Sequence, residues 1–318
     1  MASTLTGSPT GLTSTFLASS RTTPRHKTVS QRSFRSQKAL PRDLLPAGLS
    51  ARKSLGQHFL TDRRVLRRIV AATKLTPSDT VIEVGAGLGV LTAQLARRAG
   101  RVIAVEVDEG LCDHLRQRFA GVPNLSVVCR DILSLQPGDL LRSAGEGPPY
   151  VVVGNLPYNI AAAVLRLFLE ASGKPQRLIV MLQKEVAESI VAGPGRMSLL
   201  ALSVQLYGIP RLLFAVPPSS FRPPPKVESA VLRIDVREAL AVQVGDVDGF
   251  FRFLRAGFSA PRKQLRNALS HALGVEATLA GEALRRAGID PSLRAQALGL
   301  EQWAVLYRAF ESESEARR

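Results

Sequence analysis

The sequence contains little cysteine and no long apolar run, and these two shortages exclude whole classes of protein. Two cysteines in 318 residues, Cys112 and Cys129, are too few for a disulfide framework and lack the spacing of a metal site. We therefore expect both cysteines to be reduced core residues, and we expect no metal. No stretch approaches the roughly 18 consecutive apolar residues of a membrane helix, so we expect a soluble protein without a membrane partner.

Acidic residues are nearly absent from the first 50 residues, which carry seven basic residues and a single acid, Asp43. This leader is rich in serine and threonine and lacks apolar periodicity, a composition typical of an organellar transit peptide. Because residues 1–20 contain no charged side chain, the pattern favours the chloroplast, with the mitochondrion as second choice. We expect cleavage between residues 35 and 52. The alternative is a basic tail that binds RNA.

The rest of the chain is also basic. The whole protein has a formal net charge of +16 and a pI near 10.9, and +10 of that charge remains once the leader is set aside. Clustered Lys and Arg gain affinity for polyanions by releasing counterions from phosphates. With 45% apolar residues the chain can also build a conventional core. The composition therefore predicts a globular protein with a polyanionic partner.

Short β-branched runs alternate with helical patterns from residue 81 onward. Such alternation predicts βα units that form a parallel sheet buried on both faces, which is a doubly wound α/β domain. After Pro210 there is a proline-rich connection, one more apolar run, and a helical tail from about residue 250 to 310. We therefore predict a leader (residues 1–50), an α/β domain (51–240) and a helical domain (241–318). The expected strands include residues 81–84, 102–107, 125–128, 150–153, 177–182 and 230–236.

A glycine-rich turn, residues 85–89, joins the first of these strands to a helical pattern. Glycines at such a turn let a ligand approach the backbone closely and let helix N-terminal amides face it. A dinucleotide fingerprint would need its third glycine at the position of Val90. The spacing Gly85-x-Gly87-x-Gly89 therefore favours a nucleoside that carries an amino acid, such as S-adenosylmethionine, with Glu83 helping to order the turn.

Acids end the next two strands. Glu106 can accept hydrogen bonds from ribose hydroxyls, and Asp131 can accept one from the amino group of the cofactor's adenine. Together with the glycine turn they form the crevice expected at the carboxyl ends of a parallel sheet. The three features predict one cofactor site.

The fourth strand ends in Gly-Asn-Leu-Pro-Tyr, residues 154–158. The exocyclic amine of adenine is a poor nucleophile because its lone pair is delocalised into the ring. The side-chain carbonyl of Asn155 and the backbone carbonyl of Leu156 can accept its hydrogens, while Pro157 stiffens the turn and removes a competing donor. Tyr158 offers a ring face on which the base can stack. Phe221 either covers the other face of the base or belongs to the core.

These motifs together resemble the KsgA-type small-subunit rRNA adenine dimethyltransferases. The resemblance extends from about residue 54 to residue 310. The matching segments are residues 55–60, 83–92, 105–108, 155–160, 181–187, 221–231 and 258–267. The sequence departs from the family pattern at Ala260-Pro261 and in a shortened loop at residues 193–198, which bears on RNA docking rather than on the chemistry.

The resemblance implies a seven-stranded, Rossmann-like S-adenosylmethionine-dependent methyltransferase domain with a small helical C-terminal domain. It also implies N6,N6-dimethylation of two adjacent adenosines near the 3′ end of small-subunit rRNA, with a role in ribosome biogenesis. His58 and Leu60 are implied to cover the cofactor. The cofactor-binding set is then His58, Leu60, Gly85, Gly87, Glu106, Asp131 and Asn155, and the catalytic set is Asn155, Leu156, Pro157 and Tyr158.

Five basic residues and no acids lie between residues 249 and 274. Such a run is often only a solvated helix face, but beside a base-modifying site we interpret it as phosphate contacts that position RNA. We expect a monomer whose partner is small-subunit rRNA or the pre-ribosomal small subunit. The predicted RNA-binding residues are Arg252, Arg255, Arg262, Lys263 and Arg266.

Three other functions are less consistent with these motifs. A non-catalytic factor for ribosome assembly or organellar transcription could retain the fold, but the intact cofactor and acceptor motifs argue against lost chemistry. A dehydrogenase is disfavoured by Val90. A large-subunit rRNA methyltransferase of the antibiotic-resistance type shares the chemistry, but residues 181–187 and the C-terminal motifs resemble the small-subunit family better.

Overall fold

The computed structural model describes residues 51–147 and 149–316, so the predicted leader lies outside the described residues. The main sheet has seven strands in the order β4-β3-β2-β5-β6-β9-β7, and a separate two-stranded sheet pairs β1 with β8. Strands β2 to β6 run parallel to one another, whereas β9 runs antiparallel to both β6 and β7. The strands are β1 (Phe59–Leu60), β2 (Thr80–Val84), β3 (Arg101–Glu106), β4 (Leu125–Cys129), β5 (Tyr150–Asn155), β6 (Arg177–Gln183), β7 (Gly208–Val216), β8 (Phe221–Arg222) and β9 (Ser229–Val236).

Eleven α-helices cover the sheet and build the C-terminal region of the described chain. Two of them follow strands directly and begin at aspartates: Asp62 accepts hydrogen bonds from the amides of Arg64 and Val65, and Asp108 accepts one from Leu111. The helices are α1 (Arg63–Thr73), α2 (Val90–Leu95), α3 (Glu109–Arg118), α4 (Pro137–Ser143), α5 (Ala161–Leu169), α6 (Lys184–Ile190), α7 (Leu199–Tyr207), α8 (Val247–Phe258), α9 (Leu265–Leu273), α10 (Ala277–Arg286) and α11 (Leu300–Ala316).

The predicted fold class is confirmed, and the six predicted strands are found within two residues of their expected ends. The central strands are continuous apolar runs because helices cover both faces of a parallel sheet. Strand β7 was missed in the sequence. It contains Pro210 and alternates irregularly between buried and exposed residues, as an edge strand can, because one side of its backbone has no partner strand.

The C-terminal helices pack around Trp303, which is fully buried. The ring of Phe253 meets it edge-on and that of Phe258 lies nearly parallel to it. Gly257 allows this approach, since a Cβ there would lie 2.3 Å from the indole ring. One continuous apolar core joins these helices to the sheet, and the described residues belong to one compact unit. The boundary at residue 240 stays a prediction.

The two cysteines form a disulfide, so the prediction of reduced thiols is wrong for this structure. Cys112 lies in α3 and Cys129 ends β4, and their Cα atoms are 5.8 Å apart, which is within the range of a disulfide. The pair forms because α3 packs back against β4. A spacing of 17 residues does not reveal that contact.

Within the described ranges, no helix has both the length and the apolar character needed to cross a membrane.

Candidate active site

The glycine turn between β2 and α2 has the backbone conformation that requires glycine. Gly85 and Gly87 have φ angles of +72° and +55°. A Cβ on Gly85 would lie 3.3 Å from the backbone oxygen of Asn155, and one on Gly87 would lie 3.3 Å from the ring of Phe59. The absence of side chains here therefore keeps open the space between the turn and the neighbouring segments.

Glu106 is held by three backbone amides at the end of β3. Its Oε2 accepts a hydrogen bond from Gly87 N at 2.8 Å, while its Oε1 accepts from Val107 N and Asp108 N at 3.0 and 3.1 Å. Burial raises the pKa of this carboxyl, and the three amides partly offset that effect. A carboxylate offers about four acceptor sites, so one remains for a ligand hydroxyl. The sequence predicts hydrogen bonds from more than one ribose hydroxyl to Glu106, whereas the geometry leaves this carboxylate one free acceptor site.

Glu83 is buried at the end of β2, beside the same turn. Burial, with a smaller contribution from the neighbouring charge of Glu106, raises its pKa to about 8. Thr92 in α2 partly offsets this, although neither Glu83 Oε2 nor Thr92 Oγ1 has a partner at hydrogen-bond geometry in the described structure. A buried carboxyl oxygen without a partner, on a residue that lines a cavity, fits a site whose polar ligand completes it.

Asp131 follows β4 and is exposed at the cavity wall. Its Oδ1 accepts a hydrogen bond from Leu133 N at 2.9 Å and so caps the short 3₁₀ helix Ile132–Ser134. Because the carboxylate has further acceptor sites, it can also face a ligand amino group.

Asn155 ends β5 with its side chain in a defined orientation. Its Nδ2 donates to the backbone oxygen of His58 at 2.9 Å, and a carbonyl oxygen can only accept, so the amide oxygen of Asn155 must face the other way. Leu156 N donates to Met181 O at 2.9 Å, which ties the acceptor turn to β6. The turn is therefore held on both sides before any ligand arrives.

The ring of Tyr158 is half-buried and lies nearly parallel to that of His58, with the ring centroids 6.1 Å apart and the planes at 27°. His58 Nδ1 lies 2.8 Å from Pro223 O, so this nitrogen carries the proton. Phe221 is only 1% exposed and does not line the cavity. Of its two proposed roles, the structure shows the core role.

A single cavity unites the predicted cofactor and acceptor residues. Every member of the two sets lines it, together with Glu83, Leu66 and Ile69. The carboxylates and glycine amides surround one part, and the Asn155–Tyr158 turn borders it. The donor set fits S-adenosylmethionine: Glu106 and Asp131 would hold its ribose and adenine, and the bare turn would accommodate its amino-acid moiety.

The predicted RNA-binding residues differ in availability. Arg255, Arg262 and Lys263 are exposed. Arg252 lies 3.1 Å from Asp246 in an ion pair, and Arg266 is half-buried, with its aliphatic part near Gly281. Asp246 lies just before the acid-free segment of residues 249–274, so the composition of that segment does not reveal this ion pair.

A second basic surface was missed in the sequence. Helix α1 turns Leu66 and Ile69 toward the cavity, and its opposite face exposes Arg63, Arg64 and Arg67. The neighbouring Arg68 instead packs over the ring of Phe214, 3.6 Å from its centroid. The repeated Arg-Arg pairs in residues 63–68 could have revealed this face.

Known proteins resemble this chain both in sequence and in fold. The sequence profile of ribosomal RNA adenine dimethylases matches residues 48–311. Ribosomal RNA small subunit methyltransferase A of Dehalococcoides mccartyi strain BAV1 is 51% identical over 259 residues, which cover 81% of this chain and 88% of that protein. The Moorella thermoacetica protein of the same name is 42% identical over 83% of this chain and 94% of its own length.

Two solved structures are also similar. The 23S rRNA methyltransferase ErmE is 28% identical with a TM-score of 0.63, covering 80% of this chain and 99% of its own. A dimethyladenosine transferase from Plasmodium falciparum has a TM-score of 0.67 over 81% of this chain and 98% of its own, and at 24% identity it supports the fold alone.

Proposed function

The chain belongs to the ribosomal RNA adenine dimethylase family and is an S-adenosylmethionine-dependent rRNA methyltransferase, and we propose that its targets are two adjacent adenosines near the 3′ end of small-subunit rRNA. The observation that carries the proposal is that the Asn155–Tyr158 turn and the Glu106 carboxylate line one cavity. The names of the bacterial relatives support the small subunit as the target.

The residues of the acceptor turn would act by holding and orienting the target amine. When bound, S-adenosylmethionine supplies an activated sulfonium methyl group. Asn155 Oδ1 and the backbone carbonyl of Leu156 would accept the amine hydrogens and favour a more tetrahedral nitrogen. Tyr158 would stack on the base, a contact worth roughly 1 to 3 kcal/mol. Alignment of the reacting atoms then provides most of the acceleration.

The test is transfer of labelled methyl groups from S-adenosylmethionine to unmethylated small subunits by the purified chain. We expect N6,N6-dimethyladenosine at two adjacent positions and no transfer by Asn155→Ala. A Tyr158→Ala variant that still supports ribosome maturation without methylating would favour the non-catalytic assembly role. Label confined to large-subunit rRNA would contradict the proposed target, and the similarity to ErmE makes this comparison necessary.

We further propose that the enzyme acts as a monomer on a pre-ribosomal small subunit. Exposed arginines occur on two surfaces, the α1 face and the segment around Arg262. Two separate basic surfaces suit a folded RNA particle, because phosphate contacts at several points fix orientation without reading sequence. Sedimentation of the chain with and without the particle tests both statements.

For the leader we propose an address to the chloroplast, with the mitochondrion as second choice. Its composition supports this, and it lies almost wholly outside the family match, which begins at residue 48. Residues 1–50 fused to a fluorescent protein should direct it into plastids of plant cells. A diffuse signal, combined with a loss of RNA affinity when the leader is deleted, would favour the basic-tail alternative.

A further inference from the structure

The hydroxyl of Tyr158 makes a hydrogen bond to a residue that has no assigned role in the site. Its oxygen lies 2.8 Å from Ser229 Oγ, 71 residues further along the chain. Ser229 is fully buried at 0% exposure, whereas Tyr158 is half-buried at the cavity wall. The two hydroxyls therefore connect the sheet interior to the acceptor turn.

Ser229 is a fixed point because strands flank it on both sides. It is the first residue of β9, and it is paired with Gln183 in β6 and with Val216 in β7. Its backbone cannot shift without disturbing both neighbouring strands. A hydrogen bond from this site to the far end of a tyrosine fixes where that end of the ring lies.

We propose that Ser229 is a positioning residue that holds the ring of Tyr158 in the place where it can stack on the target adenine, an inference that rests on the proposed function. His58, nearly parallel to the tyrosine ring, is itself held at Pro223 and at Asn155. Ser229 in turn holds the tyrosine, through the hydroxyl at the outer end of the Tyr158 ring. The stacking surface is thus prepared before RNA binds, which reduces the ordering that binding must otherwise accomplish.

The unequal burial of the two hydroxyls predicts how each variant behaves. In Ser229→Ala the tyrosine hydroxyl loses its partner, and because Tyr158 is half-buried at the cavity wall we expect its ring to reorient toward the cavity. In Tyr158→Phe the ring remains but the buried serine hydroxyl loses the only partner that the described structure shows for it. Both variants remove the same contact by different routes.

The experiment compares Ser229→Ala, Tyr158→Phe and the double variant by steady-state transfer to small subunits. Ser203→Ala is the matched control, since Ser203 is also buried, at 7% exposure, and donates within α7 to Leu199 O. Each single variant should lower kcat/KM for RNA roughly three- to tenfold, with S-adenosylmethionine affinity unchanged. The kcat/KM of the double variant should be no lower than that of the less active single variant, because both changes remove the same contact.

A second measurement does not depend on activity. The chain contains four tyrosines, so uniform 3-fluorotyrosine labelling gives four ¹⁹F signals, and Tyr158→Phe identifies the one from Tyr158. Ser229→Ala should shift or broaden that signal alone, and Ser203→Ala should not.

The proposal is overturned if Ser229→Ala matches Ser203→Ala in both measurements, or if the effects of Ser229→Ala and Tyr158→Phe multiply. Failure of the wild-type chain to methylate small-subunit rRNA would instead contradict the proposed function. In that case the ¹⁹F signal still decides whether Ser229 positions the ring.

Discussion

Replacing Glu83 by glutamine should make the protein more stable above neutral pH. The carboxyl is buried, its Oε2 has no hydrogen-bond partner in the described structure, and burial raises its pKa from 4.5 to about 8. Below pH 4.5 the residue is protonated in both the folded and the unfolded chain. As the pH rises, the unfolded chain loses this proton first, so the free energy of unfolding falls between pH 4.5 and about 8.

The size of that loss follows from the interval. A span of 3.5 pH units, at about 1.4 kcal/mol per unit, corresponds to about 5 kcal/mol lost when the change is complete. Glutamine has nearly the same shape and cannot ionise. Glu83→Gln should therefore match the wild type below about pH 4 and exceed its stability at pH 8.5 by an amount that approaches this figure.

Urea unfolding of the two proteins at a series of pH values measures the difference directly. Titrating groups that do not interact with Glu83 are common to both chains and cancel when the two curves are subtracted, whereas Glu106 contributes to the difference. Glu282→Gln, which changes an exposed glutamate of α10, controls for the loss of one carboxylate. A wild-type curve that stays parallel to the Glu83→Gln curve from pH 5 to pH 8.5 would show that Glu83 is ionised in the folded protein and refute the argument.

Two further predictions concern the ligands. Glu106→Ala should weaken S-adenosylmethionine binding at least tenfold in calorimetry, because it removes a buried charge-assisted acceptor worth about 1.5 to 3 kcal/mol, while RNA affinity stays unchanged; loss of both affinities together would mean that the residue is misassigned. Changing Arg63, Arg64 and Arg67 to Glu should weaken RNA binding and reduce the slope of log affinity against log salt by up to about 3. The control is Arg237→Glu. Arg237 is exposed and follows the last residue of β9, at the opposite end of that strand from Ser229. An equal loss of RNA affinity in this control would show a nonspecific charge effect.

The strands of this fold could be predicted because burial on both faces leaves a direct record in the sequence. Residues 151–153 and 178–182 are uninterrupted apolar runs, and both belong to buried parallel strands. Strand β7 leaves no such record, since only one of its sides pairs and Pro210 interrupts it. The Cys112–Cys129 disulfide was missed for a related reason. It depends on how a helix packs against a strand, and periodicity within either element does not contain that information.

The identity of the site residues was easier to predict than their orientation. Residue type and strand end were enough to nominate Glu106, Asp131 and Asn155, and all three line one cavity. Nothing in the local sequence shows that His58 O turns the amide of Asn155, or that Ser229 holds Tyr158. These contacts join residues 97 and 71 positions apart, so only the folded chain brings them together.

Backbone atoms from distant segments orient most of the polar groups of the site. This arrangement couples the Asn155 amide to the stacking surface at Tyr158. The segment that contains His58 contributes to both: its carbonyl holds the Asn155 amide, while its ring faces Tyr158 and is held by Pro223. Pairing of β1 with β8 brings that segment to the cavity. A disturbance of the β1–β8 pairing would therefore reach the acceptor amide and the stacking surface together. Preorganised polar groups align reacting atoms without further ordering. Here the short β1–β8 pairing orients both the Asn155 amide that accepts the amine hydrogens and the Tyr158 ring on which the base stacks.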